Sequence, residues 1–303
     1  MHIASLLAAS LVAFTFIDGH SSIRVAAASI VRVMSFNVRT SNAPDPCPSG
    51  CWLQRKERFG MLLEKHPADL ICTQEGTPEQ IEHFRTKLGF SYVGLCAGNC
   101  SANERNAIMY KPDRLQLLWS KTFALSDTPY VLPSNSWGHE YLRAAVVARF
   151  LDPQSQHVIC ILNTHFDVSI GHNESAVLVA RLLHSYCQPQ DDVFMTGDLN
   201  TVPETAAVQY LLGNAQFNGS FTQLPLYETL TAVGQSGFTF IGPDFDNRTN
   251  SAKIDYIFAR KENKTCLRSG EILTDLFNGY SVSDHAVVLS EFCLGDGCTN
   301  CVK

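Results

Sequence analysis

Short β-branched and apolar runs alternate with amphipathic helical stretches along this chain, and that alternation constrains its fold more than any other feature. Residues 30–38 read as a strand, 52–66 as a helix, 69–74 as a strand and 78–88 as a helix, a β-α-β-α opening. The texture then changes. Residues 106–110, 115–119, 141–150 and 157–164 are strand-like and are joined by turn sequences such as Lys111-Pro112-Asp113, which predicts hairpins and antiparallel pairing. A helix over 173–186, a buried strand over 193–196 and a helix over 203–212 opened by Pro203 follow, then strands over 253–259, 266–273 and 286–292. Two strand-rich halves, each with helices to cover it, predict an α/β fold of two packed, mainly antiparallel sheets flanked by helices.

With 303 residues, 45% of them hydrophobic and 17% charged, the chain can bury one large core, and no Pro/Ser linker or internal repeat divides it. We therefore expect a single domain over 30–293 and a cysteine-containing tail over 294–303. Residues 3–17 are almost wholly apolar, yet too few for a bilayer span of ~20 residues. They read as the core of a signal peptide over 1–22. Eleven cysteines and sequons at Asn99, Asn173, Asn218, Asn247 and Asn263 favour export, with glycosylation and disulfides. Cys47 and Cys51, Cys96 and Cys100, Cys298 and Cys301, with Cys187, Cys266 and Cys293, look like disulfide stock. Cys72 and Cys160 lie inside apolar runs and are expected to be buried thiols. A net charge of −6 argues against a broad electrostatic grip on nucleic acid.

Polar residues recur where apolar runs end, and several carry chemistry. Asn37 and Glu75 close the first two strands, and an amide and a carboxylate there can hold a hard cation through oxygen. Asp198 and Asn200 are two apart in an extended segment and so share a face. The acid can activate water while the amide donates to a phosphoryl oxygen, although an Asx-turn before a helix uses the same residues. Asp255 is a lone carboxylate inside an apolar run and needs a partner; His285, in Ser283-Asp284-His285, would supply one. His165 ends another strand, with Glu104 as its candidate acid.

In this order, these segments resemble the endonuclease/exonuclease/phosphatase superfamily from about Ile30 to Phe292. The resemblance implies a four-layered α/β sandwich and hydrolysis of phosphate esters with Mg²⁺, Mn²⁺ being an alternative. It implies that Glu75 ligates the metal with Asn37 and Asp284 close by. Asp198 would orient the water, Asn200 contact the phosphate, and His285, supported by Asp255, stabilise the transferring phosphoryl group. The 103–113 stretch and Arg143 are similar to secreted deoxyribonucleases, where a glutamate pairs with the second histidine and the arginine contacts phosphate; 66–80 and 253–258 look closer to deadenylase-like exonucleases. The expectation is a secreted phosphodiesterase cleaving DNA or RNA, with no membrane span and no protein partner. A phosphatase or phospholipase-type enzyme acting on inositol phosphates or sphingomyelin is the alternative, and an inactive secreted binding protein a remote one.

Overall fold

The computed structural model describes residues 27–98, 104–242, 244–245, 252–262 and 265–302. The signal-peptide segment, Cys100 and the sequons at Asn99, Asn247 and Asn263 lie outside them.

One six-stranded sheet is built from β1 (Ser29–Asn37), β2 (Leu70–Gly76), β3 (Ser91–Val93), β4 (Arg105–Tyr110), β11 (Cys266–Leu273) and β12 (Val287–Leu294), in the order β11-β12-β1-β2-β4-β3. The other contains β5 (Gln116–Ala124), β6 (Ala144–Leu151), β7 (Val158–His165), β8 (Asp192–Asp198), β9 (Leu226–Glu228) and β10 (Asp255–Arg260), in the order β5-β6-β7-β8-β10-β9. Only β1 with β2 and β7 with β8 run parallel; the other pairs are antiparallel. The mainly antiparallel two-sheet reading of the sequence therefore holds.

Three apolar clusters make four layers. Val33, Leu70, Ile108 and Phe292 of the first sheet meet Phe150, Ile161, Phe194 and Ile257 of the second between the sheets. Helices α1 (Trp52–Lys65) and α2 (Pro78–Thr86) place Phe59, Leu62, Ile81 and Phe84 against the outer face of the first sheet. Helices α3 (His172–Tyr186) and α4 (Ala206–Leu211) cover the second with Val179, Leu183, Val208 and Leu211. Central strands such as β1 are buried on both faces, which is why they read as continuous apolar runs rather than alternating ones.

Several expectations need correction. Pro203 does not open α4: the helix starts at Ala206 with Thr205 at its N-cap. The short strands β3 and β9 and the single turn α5 (Thr229–Ala232) carry too few residues to show a period. Cys160 is not a thiol: it is bonded to Cys187, joining β7 to the end of α3, and Cys72 is the buried free cysteine. The other described disulfides are Cys47–Cys51, Cys266–Cys301 and Cys293–Cys298, the last two stapling the C-terminal tail onto β11 and β12. Cys160–Cys187 spans 27 residues, so replacing both by alanine is expected to cost about 3 kcal/mol of stability through unfolded-state entropy. A thermal or denaturant melt of the oxidised protein measures this, and an unchanged midpoint would contradict it.

Candidate active site

All the polar ends gather at one edge of the two sheets, and strand direction explains how. Asn37, His165 and Asp198 end β1, β7 and β8. Asp255 begins β10, at the edge of the apolar run rather than inside it, and Asp284 and His285 precede β12, so these three stand at the starts of their strands. Because β10 is antiparallel to β8 and β12 to β1, their starts reach the same edge; Asp255 lies directly opposite Asp198. Polar residues also tie the sheets together beneath the site: Gln74 Nε2 donates to Asn163 Oδ1 at 2.8 Å, and Asn163 Nδ2 donates to the Thr73 and Ala107 carbonyls.

Glu75 owes its direction to an irregularity. The β2–β4 register shifts between Thr73 and Gly76, and Glu75 has φ 62°, a left-handed conformation that a side chain this long rarely adopts. Arg39 (φ 50°) and Asn200 (φ 47°) share it, three such residues in one site. Strain of about 1–3 kcal/mol at Glu75 and at Arg39 persists only where surroundings enforce it, whereas asparagine adopts this conformation more readily. For Arg39 the enforcement is visible: its carbonyl accepts from Arg55 Nη2 (2.9 Å) and Gln80 Nε2 (2.8 Å). Arg55 is 1% exposed and also donates to the Val38 and Gly50 carbonyls; its burial lowers its pKa to about 10.

Asn37 Nδ2 bridges the sheets, donating to Glu75 Oε1 and to Asp198 Oδ2, both at 2.9 Å. Asp198 Oδ1 accepts from the Asn200 backbone N–H at 2.9 Å. His285 Nδ1 lies 2.8 Å from Asp255 Oδ2, and its Nε2 lies 3.8 Å from Asp198 Oδ2. Burial opposes charge on His285, but Asp255, Asp198 and Asp284 together outweigh it and hold the imidazole well above its ordinary pKa. Burial, reinforced by the Asp255 charge, pushes Asp198 up to about 7.

His165 has a different environment. The expected pair with Glu104 is not formed: Arg143 Nη1 stands 3.0 Å from His165 Nδ1. An arginine can only donate, so Nδ1 accepts and the proton belongs on Nε2, 3.5 Å from Asp198 Oδ2. Asn200 Nδ2, itself only a donor, gives its hydrogen to the Phe166 carbonyl (3.1 Å) and makes no hydrogen bond to that Nε2–H. Burial, then the charges of Arg143 and His285, hold His165 well below its ordinary pKa, so it is neutral beside a cationic His285. Glu104 is instead pushed up to about 7 by burial and by Glu75, with the Thr40 hydroxyl opposing the shift.

Arg39 is the participant that the sequence reading missed. It binds Asp45 through two hydrogen bonds of 3.0 Å, and its Nη1 lies 3.4 Å from Asp284 Oδ2. Its position two residues beyond Asn37 was the available signal, since alternate residues of an extended segment share a face. Arg39, Glu75, Arg143, His165, Asp198, Asp284 and His285 line one cleft of about 870 Å³, together with Tyr141, Leu142, Val168 and Phe240. The Phe240 ring centroid lies 5.1 Å from that of His285.

Two groups could hold a metal. Asp198, Asp255 and His285 offer ligand atoms within 4.8 Å of one another. The His285–Asp255 hydrogen bond and the raised His285 pKa, however, suit a proton-bearing pair better than a ligand set. Glu75 and Asp284 form the other, and their oxygen donors fit a hard divalent cation; burial first, with Glu75 beside it, raises the pKa of Asp284 against the opposing charges of His285 and Arg39.

The sequence profile described as the Endonuclease/Exonuclease/phosphatase family matches residues 34–285. An uncharacterized protein of Acanthamoeba polyphaga mimivirus is 26% identical over 253 residues, covering 80% of this chain and 92% of its own. Among solved structures, an endonuclease/exonuclease/phosphatase family protein from Bacteroides thetaiotaomicron superposes with a TM-score of 0.76 at 22% identity, over 88% of this chain and 98% of that one. A mannosyl-6-phosphatase from the same bacterium gives 0.74 at 23% identity, over 86% and 99%.

Proposed function

Because this chain belongs to the endonuclease/exonuclease/phosphatase family of phosphate-ester hydrolases, we propose that its cleft hydrolyses a phosphate ester carried on a compact organic group, using Mg²⁺ or Mn²⁺, outside the cell. The observation that carries the substrate reading is the charge of the cleft. Arg39 and Arg143 are the arginines that line it and no lysine does so among the described residues, while Glu75, Glu104, Glu140, Asp198 and Asp284 are acidic. Two cations suit one phosphoryl group; a strand's backbone needs a longer basic track. Arg143 lines the cleft with its Nη1 on His165 and its buried Nε 4.0 Å from Asp167, which leaves Nη2 to take such a group. Tyr141 and Phe240 on the rim favour a second reading, a nucleic acid whose bases stack there. Hydrolysis of phosphosugars, inositol phosphates, nucleotides, sphingomyelin, single-stranded DNA and RNA should be compared under one Mg²⁺ concentration. Strand cleavage faster than turnover of every small ester would overturn the first reading.

In this mechanism Asp198, in its ionised form, accepts the proton of an attacking water; its carboxylate is fixed by Asn37 and the Asn200 N–H. Cationic His285, oriented by Asp255, donates to the phosphoryl oxygens, and Asn200 and Arg143 add further donors on the other side. Neutral His165 can donate through Nε2 without adding charge beside His285. The metal supplies Lewis-acid neutralisation of phosphoryl charge when bound to Glu75 and Asp284. Activity is accordingly expected to vanish in excess EDTA. Glu75→Ala should raise the Mg²⁺ concentration needed for half-maximal rate at least about tenfold, because it removes a charged oxygen ligand. An unchanged titration would remove Glu75 from this role.

Export is supported by the disulfides, which persist in oxidising compartments. Among the described residues no helix is long and apolar enough to cross a membrane.

A further inference from the structure

Away from the catalytic cleft, and sharing no lining residue with it, lies a groove of about 490 Å³ beside α3. Trp137, Tyr210, Phe217 and Phe221 line it, with Glu174 and Arg181 among its polar groups. Phe221 is 52% exposed, unusual for a phenylalanine with no partner to cover it. Trp137 is held in place by its Nε1, which donates to Asp127 Oδ1 at 2.8 Å. Asp127, Pro129, Leu178 and Arg181 also line a second hollow of about 420 Å³, so the groove continues past them toward Tyr130. Aromatic faces interspersed with charged and amide groups along an open channel suit an amphipathic, hydroxyl-rich chain better than an apolar one.

Asn218 lines the same groove. It stands at the tip of a two-residue hairpin in which Phe217 and Ser220 exchange both backbone hydrogen bonds. Asn218 (φ 50°) and Gly219 (φ 77°) both have the left-handed backbone such a turn requires, and Asn and Gly are the residues that adopt it most readily. Asn218-Gly219-Ser220 is a glycosylation sequon. Asn218 and Ser220 are exposed, neither side chain makes a hydrogen bond among the described residues, and a Cβ added at Gly219 would meet nothing within 4 Å. The other described sequon is less open: Asn173 is half-buried at the start of α3, and Ser175 is wholly buried.

We propose that Asn218 carries an N-linked glycan whose first sugars lie in the adjoining groove, on Phe221, Phe217 and Trp137. The proposal rests on export of the chain. Asn218 Nδ2 forms a bond to the anomeric carbon of a polyprenyl-diphosphate-linked oligosaccharide, the anomeric C–O bond breaks, the polyprenyl diphosphate leaves with the electron pair, and the amide loses one proton. Nothing is oxidised or reduced. The attached chain then covers the aromatic surface that the polypeptide leaves open.

The full chain should be secreted from a eukaryotic host that keeps its glycans high-mannose. Site occupancy is read by glycopeptide mass spectrometry, and endoglycosidase trimming at Asn218 is followed with the protein native and denatured. Asn218 is expected to be occupied, and its native trimming about tenfold slower than in Phe221→Ala, the factor that one lost aromatic contact supplies. Phe221→Tyr should keep the slow rate, denaturation should equalise all variants, and Ser220→Ala should abolish occupancy. An empty Asn218 beside glycosylated sequons elsewhere overturns the proposal alone, as do equal native rates in wild type and Phe221→Ala. Secreted protein with no modified sequon overturns it too. A chain that is never exported removes the export reading along with it. Phosphoester hydrolysis is unchanged in all these variants.

Discussion

Replacing His285 with alanine is expected to lower kcat about 10³-fold, within the range found when a charged or proton-transferring group is removed from a reacting centre. The reason is the arrangement around it: Asp255 at 2.8 Å fixes Nδ1 and leaves Nε2 facing the cleft beside Asp198. Asp255→Asn removes the partner that orients and charges the ring, so it should slow the same step. The double variant should then be little worse than His285→Ala alone; losses that multiply would show that the two act separately. Charge on His285 also has a pH signature. Its folded pKa is raised well above 6.5, so activity that needs the cation persists through neutral pH and falls only on the alkaline side. The stability this charge contributes has the same sign. It is fully present below the unfolded value near 6.5 and is lost as pH rises through the folded value. His285→Ala should therefore lower the melting temperature more at pH 6 than at strongly alkaline pH.

Much of this site was legible because the chain advertises each strand end with a polar residue. Asn37, Glu75, His165, Asp198, Asn200, Asp255, Asp284 and His285 were all singled out, and all line or border one cleft. What the sequence could not carry was contact across strands. His165 has an arginine at Nδ1 rather than an acid because the β6–β7 register sets Ala145 opposite Thr164, which brings Arg143, just before β6, beside His165, the last residue of β7. Glu104 precedes β4, in the other sheet, and faces Glu75 instead. Glu75 turns into the site only because β2 bulges there, a backbone event with no residue signature at that position. Cys160 looked like a core thiol because its strand is apolar on both sides; the α3 terminus that delivers Cys187 to it is set by helix packing. The two packed sheets flanked by helices, by contrast, were legible in the order and length of the strand-like and helical runs; the buried central strands carry no alternation and are told from helices by their length and β-branched residues.

Asp198→Asn is expected to be as damaging as loss of His285, about 10³-fold in kcat, because an amide cannot take a proton from water. Asp198 is 2% exposed, and its carboxyl is already pushed up to about 7, by burial first and by Asp255 second. Its ionised form is the one that can act as base. In the wild type, kcat/KM should therefore fall as pH drops through about 7, and this acid limb should be absent from whatever activity Asp198→Asn retains. Asp255 provides a sharper test, because it raises the pKa of both its neighbours. Asp255→Asn should shift the acid limb to lower pH, as Asp198 loses a neighbouring negative charge, and shift the alkaline limb to lower pH, as His285 loses its counter-charge. The whole bell moves one way, whereas general damage to the site would lower it without moving it. The limbs belong to the Asp198–Asp255–His285 cluster together, so the measurement is the position of each limb in wild type, Asp198→Asn and Asp255→Asn with one substrate and saturating metal. An acid limb that survives unchanged in Asp198→Asn would reject this carboxylate as the base.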